Sequence, residues 1–107
     1  MKKITSEKEL TDAVKNYDVV ICKFGADWCG PCRVIENSIR NIEKSNADTA
    51  EFLEVNVDEA DEDFIANSGI RNIPVLQFFK NGVLIDKSVG LITEQELLKR
   101  IKELKED

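Results

Sequence analysis

No histidine occurs in the sequence, and cysteine occurs only three times. A closed metal site of four sulfur and nitrogen ligands therefore cannot be assembled within one chain. An odd, small number of cysteines also argues against a secreted framework held by disulfides. No apolar run approaches the roughly 20 residues that a membrane-spanning helix needs. Met1, Lys2, Lys3 and Ile4 lead into polar residues, with no apolar stretch behind the lysines, so no signal peptide is expected and a reducing cytoplasm is the expected location. Basic residues form no stripe, which argues against nucleic-acid binding. Repeats, linkers and low-complexity segments are absent as well.

What is present suits one domain, residues 1–107, with 42% hydrophobic residues, enough for a core that needs no disulfide staples. The formal net charge is −6. Part of it lies in the acidic run from Asp58 to Asp63, which lacks the glycine and the terminal glutamate of a calcium-binding EF-hand loop. It reads as a solvated loop leading into the first turn of a helix, where carboxylates favour the dipole.

The informative stretch is Trp28-Cys29-Gly30-Pro31-Cys32. An apolar, β-branched run over residues 19–24 precedes it, and helical spacing of Val34, Ile35, Ile39 and Ile42 over residues 33–44 follows. The first thiol thus stands where a strand hands over to a helix. Unpaired amides and the positive dipole end at a helix N-terminus stabilise an anion. Cys29 should therefore ionise more readily than a free cysteine, and the thiolate is the form that attacks disulfides. Cys32, one turn on, stands where it can resolve a mixed disulfide. Gly30 permits a tight turn, and Pro31 suits a first helical turn.

Elsewhere, Ser6 with Glu9 and Thr93 with Glu96 match capping boxes, predicting helices over residues 7–16 and from residue 94 onward. Residues 46–48 read as an exit loop after the second helix. Residues 52–57 alternate as a strand, residues 61–67 read as a short helix ended by Gly69, and residues 75–79 and 83–89 flank Asn81-Gly82 as a hairpin. Residues 2–5 suit an edge strand. Strands joined through helices are expected to run parallel. The sum is an α/β protein with a mixed central β-sheet and helices on both faces.

The Trp-Cys-Gly-Pro-Cys motif resembles the active site of the thioredoxin family, and Ile73-Pro74, Asn81-Gly82 and Val89-Gly90 fit the same pattern along the chain. The resemblance implies a thioredoxin fold and a protein-disulfide reductase that works by dithiol–disulfide exchange, Cys29 attacking and Cys32 resolving. It implies a cis bond before Pro74 and a flat apolar docking patch of Trp28, Gly30, Pro31, Ile73, Pro74 and Gly90, with Leu91 at its margin. It also implies a monomer with no bound cofactor, oxidised proteins as substrates, and recharging by a thioredoxin reductase that uses flavin and NADPH.

The chain departs from the family at Lys23 and Glu54, where members usually carry Asp and Lys. The two are expected to face each other beneath Cys32 as a charge-swapped pair, either tuning the thiols through the lysine ammonium, passing the Cys32 proton through a neutral lysine or through Glu54 and water, or serving structure alone. Gly25 stands where many members have a second tryptophan, implying a more open side to the site. Cys22, beside Lys23, is expected to point to the opposite face as a small apolar residue. Two rivals stand beside the reductase reading: a disulfide oxidant or isomerase, and a binding module that clamps a partner through the apolar patch.

Overall fold

A computed structural model describes residues 1–45 and 50–106. The elements follow in the order β1 (Lys2–Lys3), α1 (Glu7–Asn16), β2 (Val19–Gly25), α2 (Gly30–Ser45), β3 (Glu51–Asn56), α3 (Glu62–Ser68), β4 (Val75–Lys80), β5 (Val83–Val89) and α4 (Glu94–Glu106). The exit loop expected at residues 46–48 lies outside the described residues. Five strands form one sheet in the order β1-β3-β2-β4-β5.

Strand alternation divides the core in two. Val20, Cys22 and Phe24 of β2 pack in a cluster with Ala13 of α1 and Phe64 of α3. Val19 and Ile21 pack in a second cluster with Ile35, Ile39 and Ile42 of α2 and Leu97, Ile101 and Leu104 of α4. Successive strand residues point to opposite faces. Cys22 therefore lies on the α1/α3 face, as expected, and is fully buried. Lys23, with the same parity as Ile21, lies on the α2/α4 face.

The helix starts follow the sequence signals. The Glu9 N–H donates to Ser6 Oγ at 3.2 Å, and the Glu96 N–H donates to Thr93 Oγ1 at 3.1 Å. In the hairpin, Asn81 and Gly82 both have positive φ, +50° and +83°, the geometry that a two-residue turn between twisted strands requires.

The parallel β1·β3 and β3·β2 pairs match the expectation, but β4 runs antiparallel to β2, so β3 and β4, joined through α3, are not parallel. α3 does not carry the chain back along the sheet: Phe64 packs on Phe24 near the end of β2, and β4 begins at Val75 opposite that same Phe24, so the chain enters β4 at the end where it left β3. Between Phe78 and Phe79 the β4·β5 register shifts: Phe79 opposes Leu84 and Phe78 opposes Asp86, with Ile85 as the extra residue. Asp86 Oδ2 accepts from Arg100 Nη1 at 3.3 Å, and the Arg100 guanidinium lies 5.7 Å from the Phe78 ring centre.

Candidate active site

The site forms where β2 ends and α2 begins. The Cys29 carbonyl accepts from the Arg33 N–H at 3.4 Å, opening the helical ladder, and Cys29 Sγ accepts the Cys32 N–H at 3.2 Å. Cys29 thus holds the N-cap position with sulfur as the capping atom. Cys29 and Cys32 are joined as a disulfide, their Cα atoms 5.3 Å apart. Both are buried, and they pack with Ala26, against Val57 and Ile73.

The Ile73–Pro74 bond is cis, as the resemblance implies. The Gly90 N–H donates to the Pro74 carbonyl at 2.8 Å, which ties the end of β5 to this segment. Trp28 is 73% exposed and Leu91 63% exposed. Gly30 and Pro31 are also exposed, whereas Ile73 and Gly90 are half-buried. Pro74 is buried. It therefore adds little surface to the expected patch.

Two residues that the sequence reading gave no role at the site hold the tryptophan. Its Nε1–H donates to Asp58 Oδ2 at 2.8 Å, and the Asp58 N–H donates to Asn56 Oδ1 at 2.9 Å. Part of the acidic run is therefore an anchor as well as a solvated loop. No local pattern marks a partner 30 residues away.

The expected Lys23–Glu54 pair is corrected in part. The two residues are register partners on β2 and β3 and line one cavity of about 240 Å³ together with Cys32, Gly25, Glu36 and Asn56. The carboxylate paired with Lys23 is nevertheless that of Glu36 on α2, with Oε2 at 3.9 Å from Nζ. Glu54 is half-buried on the cavity wall. Lys23 points towards the helix layer, and Glu36, one turn beyond Cys32, is the carboxylate that meets it there. The signal was the row Cys32, Glu36, Arg40 at i,i+4 spacing on α2. Arg40 Nη2 donates to Glu36 Oε1 at 2.5 Å. That bond, then the charge of Lys23, hold the Glu36 carboxyl below its ordinary pKa against the opposing effect of burial. Burial pushes the Cys22 thiol pKa upward.

Gly25 packs directly on the disulfide. A Cβ added there would lie 3.1 Å from Cys32 Sγ and 3.6 Å from Lys23 Cε. The expected open side is not seen at Gly25 itself, which is closed by Cys32; Gly25 instead lines the cavity shared with Lys23 and Glu54.

Comparison with known proteins gives one consistent picture. A family model, Thioredoxin, matches residues 1–103. A thioredoxin of Mycoplasmoides gallisepticum is 34% identical over 102 residues, covering 95% of this chain and all of that protein. A Rickettsia bellii thioredoxin is 35% identical over 97 residues, covering 90% of this chain and 91% of its own length. A solved mutant thioredoxin from Halobacterium salinarum superposes with a TM-score of 0.87 at 30% identity, over 96% of this chain and 88% of that one. With nearly its whole length matched and a bonded Cys-x-x-Cys pair at the strand-to-helix turn, the chain belongs to the thioredoxin family and is a protein-disulfide oxidoreductase.

Proposed function

We propose that the reduced protein acts as a general disulfide reductase in which Cys29 is the attacking nucleophile and Cys32 the resolving one. The observation that carries this assignment is the Cys32 N–H aimed at Cys29 Sγ, 3.2 Å away at the start of a 16-residue helix. An amide and a helix dipole directed at one sulfur favour its thiolate. The Cys29 thiolate attacks a substrate disulfide, forming a mixed disulfide and releasing one substrate thiolate. Cys32 then attacks Cys29 Sγ, the internal disulfide forms, and the second substrate sulfur leaves.

Substrates are oxidised proteins that present an extended segment along residues 73–74, beside the cysteine pair. Exposed Trp28, Pro31 and Leu91 around a half-buried Ile73 support a docking patch with little sequence demand. We assign the chain to the reducing cytoplasm, as one monomeric domain recharged by a flavin- and NADPH-dependent thioredoxin reductase. No helix among the described residues is long and apolar enough to cross a membrane. The bonded pair does not favour a module that only clamps partners.

The test is alkylation of the reduced protein across pH, with the label located by mass spectrometry. Cys29 should react with a midpoint below the ~8.5 of a free cysteine, and Cys29→Ser should abolish insulin-disulfide reduction by dithiothreitol. A midpoint at or above the free value, or undiminished turnover in the variant, would overturn the assignment.

A further inference from the structure

We infer that Lys23 is a positioning residue for the second step of exchange: its ammonium, held by Glu36, favours the Cys32 thiolate and so sets the rate at which the mixed disulfide is resolved. The inference rests on the roles assigned above to Cys29 and Cys32, and it replaces the strand pair Lys23–Glu54 with a strand-to-helix pair.

Lys23 is only 4% exposed, in a strand otherwise apolar as far as Phe24. An ammonium in such a place requires a partner, and a partner that neutralised it completely would leave nothing for a third group. Glu36 is an incomplete neutraliser. Its nearer oxygen stands 3.9 Å from Nζ, its other oxygen is bonded to Arg40, and its side chain is 25% exposed. Gly25 leaves the space between lysine and cysteine free of side chain. The position one Cβ out from Gly25 lies 3.6 Å from Lys23 Cε and 3.1 Å from Cys32 Sγ, so the lysine stem and the sulfur close on the same point, which holds no side chain.

The charged groups facing this gap are Lys23 from β2, Asp27 from the following loop, Arg33 and Glu36 from α2, and Glu54 from β3. Arg40 stands behind Glu36. Three cations and three carboxylates balance, and Lys23 Cε is the nearest atom of a charged side chain to the point beside Gly25 that also meets Cys32 Sγ. Cys32, like Lys23, is almost fully buried, which weakens screening between them. Glu36 makes a poor proton acceptor for the thiol, because Arg40 and Lys23 hold it ionised. Of the two members of this ion pair, the cation is therefore the one that can favour the thiolate.

In the step itself, Cys32 loses its proton to solvent and attacks Cys29 Sγ. The Cys29–Cys32 bond forms, and the bond from Cys29 to the substrate sulfur breaks. The departing substrate sulfur takes up a proton. The substrate is reduced by two electrons and the protein dithiol is oxidised to the disulfide.

The experiment measures the Cys32 pKa by NMR of the reduced protein with labelled cysteine, and the rate at which a Cys29 mixed disulfide resolves between pH 5 and 9. Lys23→Met, similar in length and apolar, should raise the Cys32 pKa by about one pH unit and slow resolution at neutral pH by about tenfold. Lys23→Arg should restore both. Glu36→Gln, which removes the offsetting carboxylate, should move the Cys32 pKa down, and it serves as the test should Lys23→Met not fold. An unmoved Cys32 pKa in the folded Lys23→Met protein, or in Glu36→Gln where that one does not fold, overturns the inference. Cys29 separates the two levels of argument. Normal Cys29 reactivity with an unmoved Cys32 sinks the lysine role alone, whereas an unreactive Cys29 sinks the nucleophile assignment beneath it.

Discussion

Breaking the Lys23–Glu36 pair from the carboxylate side should destabilise the fold by a predictable amount. Removing one member of a fully buried ion pair costs about 3–5 kcal/mol, because a buried charge is left uncompensated. Three features reduce that figure here. The Nζ to Oε2 distance is 3.9 Å, the Glu36 side chain is 25% exposed, and a cavity of about 240 Å³ adjoins the lysine. We expect Glu36→Gln to cost about 1–2 kcal/mol, which lowers the Tm of a domain of this size by about 4–12 °C. The variant also loses the Arg40 contact, an i,i+4 surface pair of small effect. A double-mutant cycle removes that complication, since the Arg40 contact is lost in either background. In a Lys23→Met background, Glu36→Gln should cost only the small Arg40 contribution, giving a coupling energy of about 1–2 kcal/mol by urea denaturation. A coupling below about 0.3 kcal/mol would show that the lysine does not depend on this carboxylate.

Three other outcomes are expected. Ile39→Ala, at a fully buried site between α2 and the sheet, should cost about 2–5 kcal/mol in denaturant unfolding. Because the Glu36 carboxyl titrates below its ordinary 4.5 in the folded protein, its contribution is present above that value and lost as pH falls through the lower folded value. The stability gap between parent and Glu36→Gln should accordingly shrink on acidification below about pH 5, as followed by urea midpoints. Cys22 should resist an aromatic disulfide reagent at pH 8 in the native protein and react once the protein is unfolded. It is fully buried, and burial disfavours its thiolate.

How far the sequence could be read depended on the range of each interaction. The capping boxes at Ser6 and Thr93 are written within four residues, so α1 and α4 start where expected. The alternation of Val20, Cys22 and Phe24 against Val19 and Ile21 fixed the faces of β2 in the same local way. The direction of β4 was not local, because it turned on where α3 packs against the sheet. At the site, the Cys-Gly-Pro-Cys turn was legible as a motif. The lysine partner was misjudged because strand register names the residue alongside, while a long side chain can instead reach the helix layered above. Trp28 and Asp58 meet across a distance in sequence that no periodicity encodes.

The additional residue in β5 gives that strand a point of slack. Ile85 lies between two stretches that each pair regularly with β4, Val83–Leu84 on one side and Asp86–Val89 on the other. Omitting Ile85 would merge the two ladders and leave every side chain on its present side of the sheet. Omitting Lys87 instead would turn Ser88 and Val89 over and pull Gly90 out of line with the Pro74 carbonyl. Length changes at the hairpin end can thus be absorbed before they reach the catalytic end, while changes beyond Asp86 go straight into it.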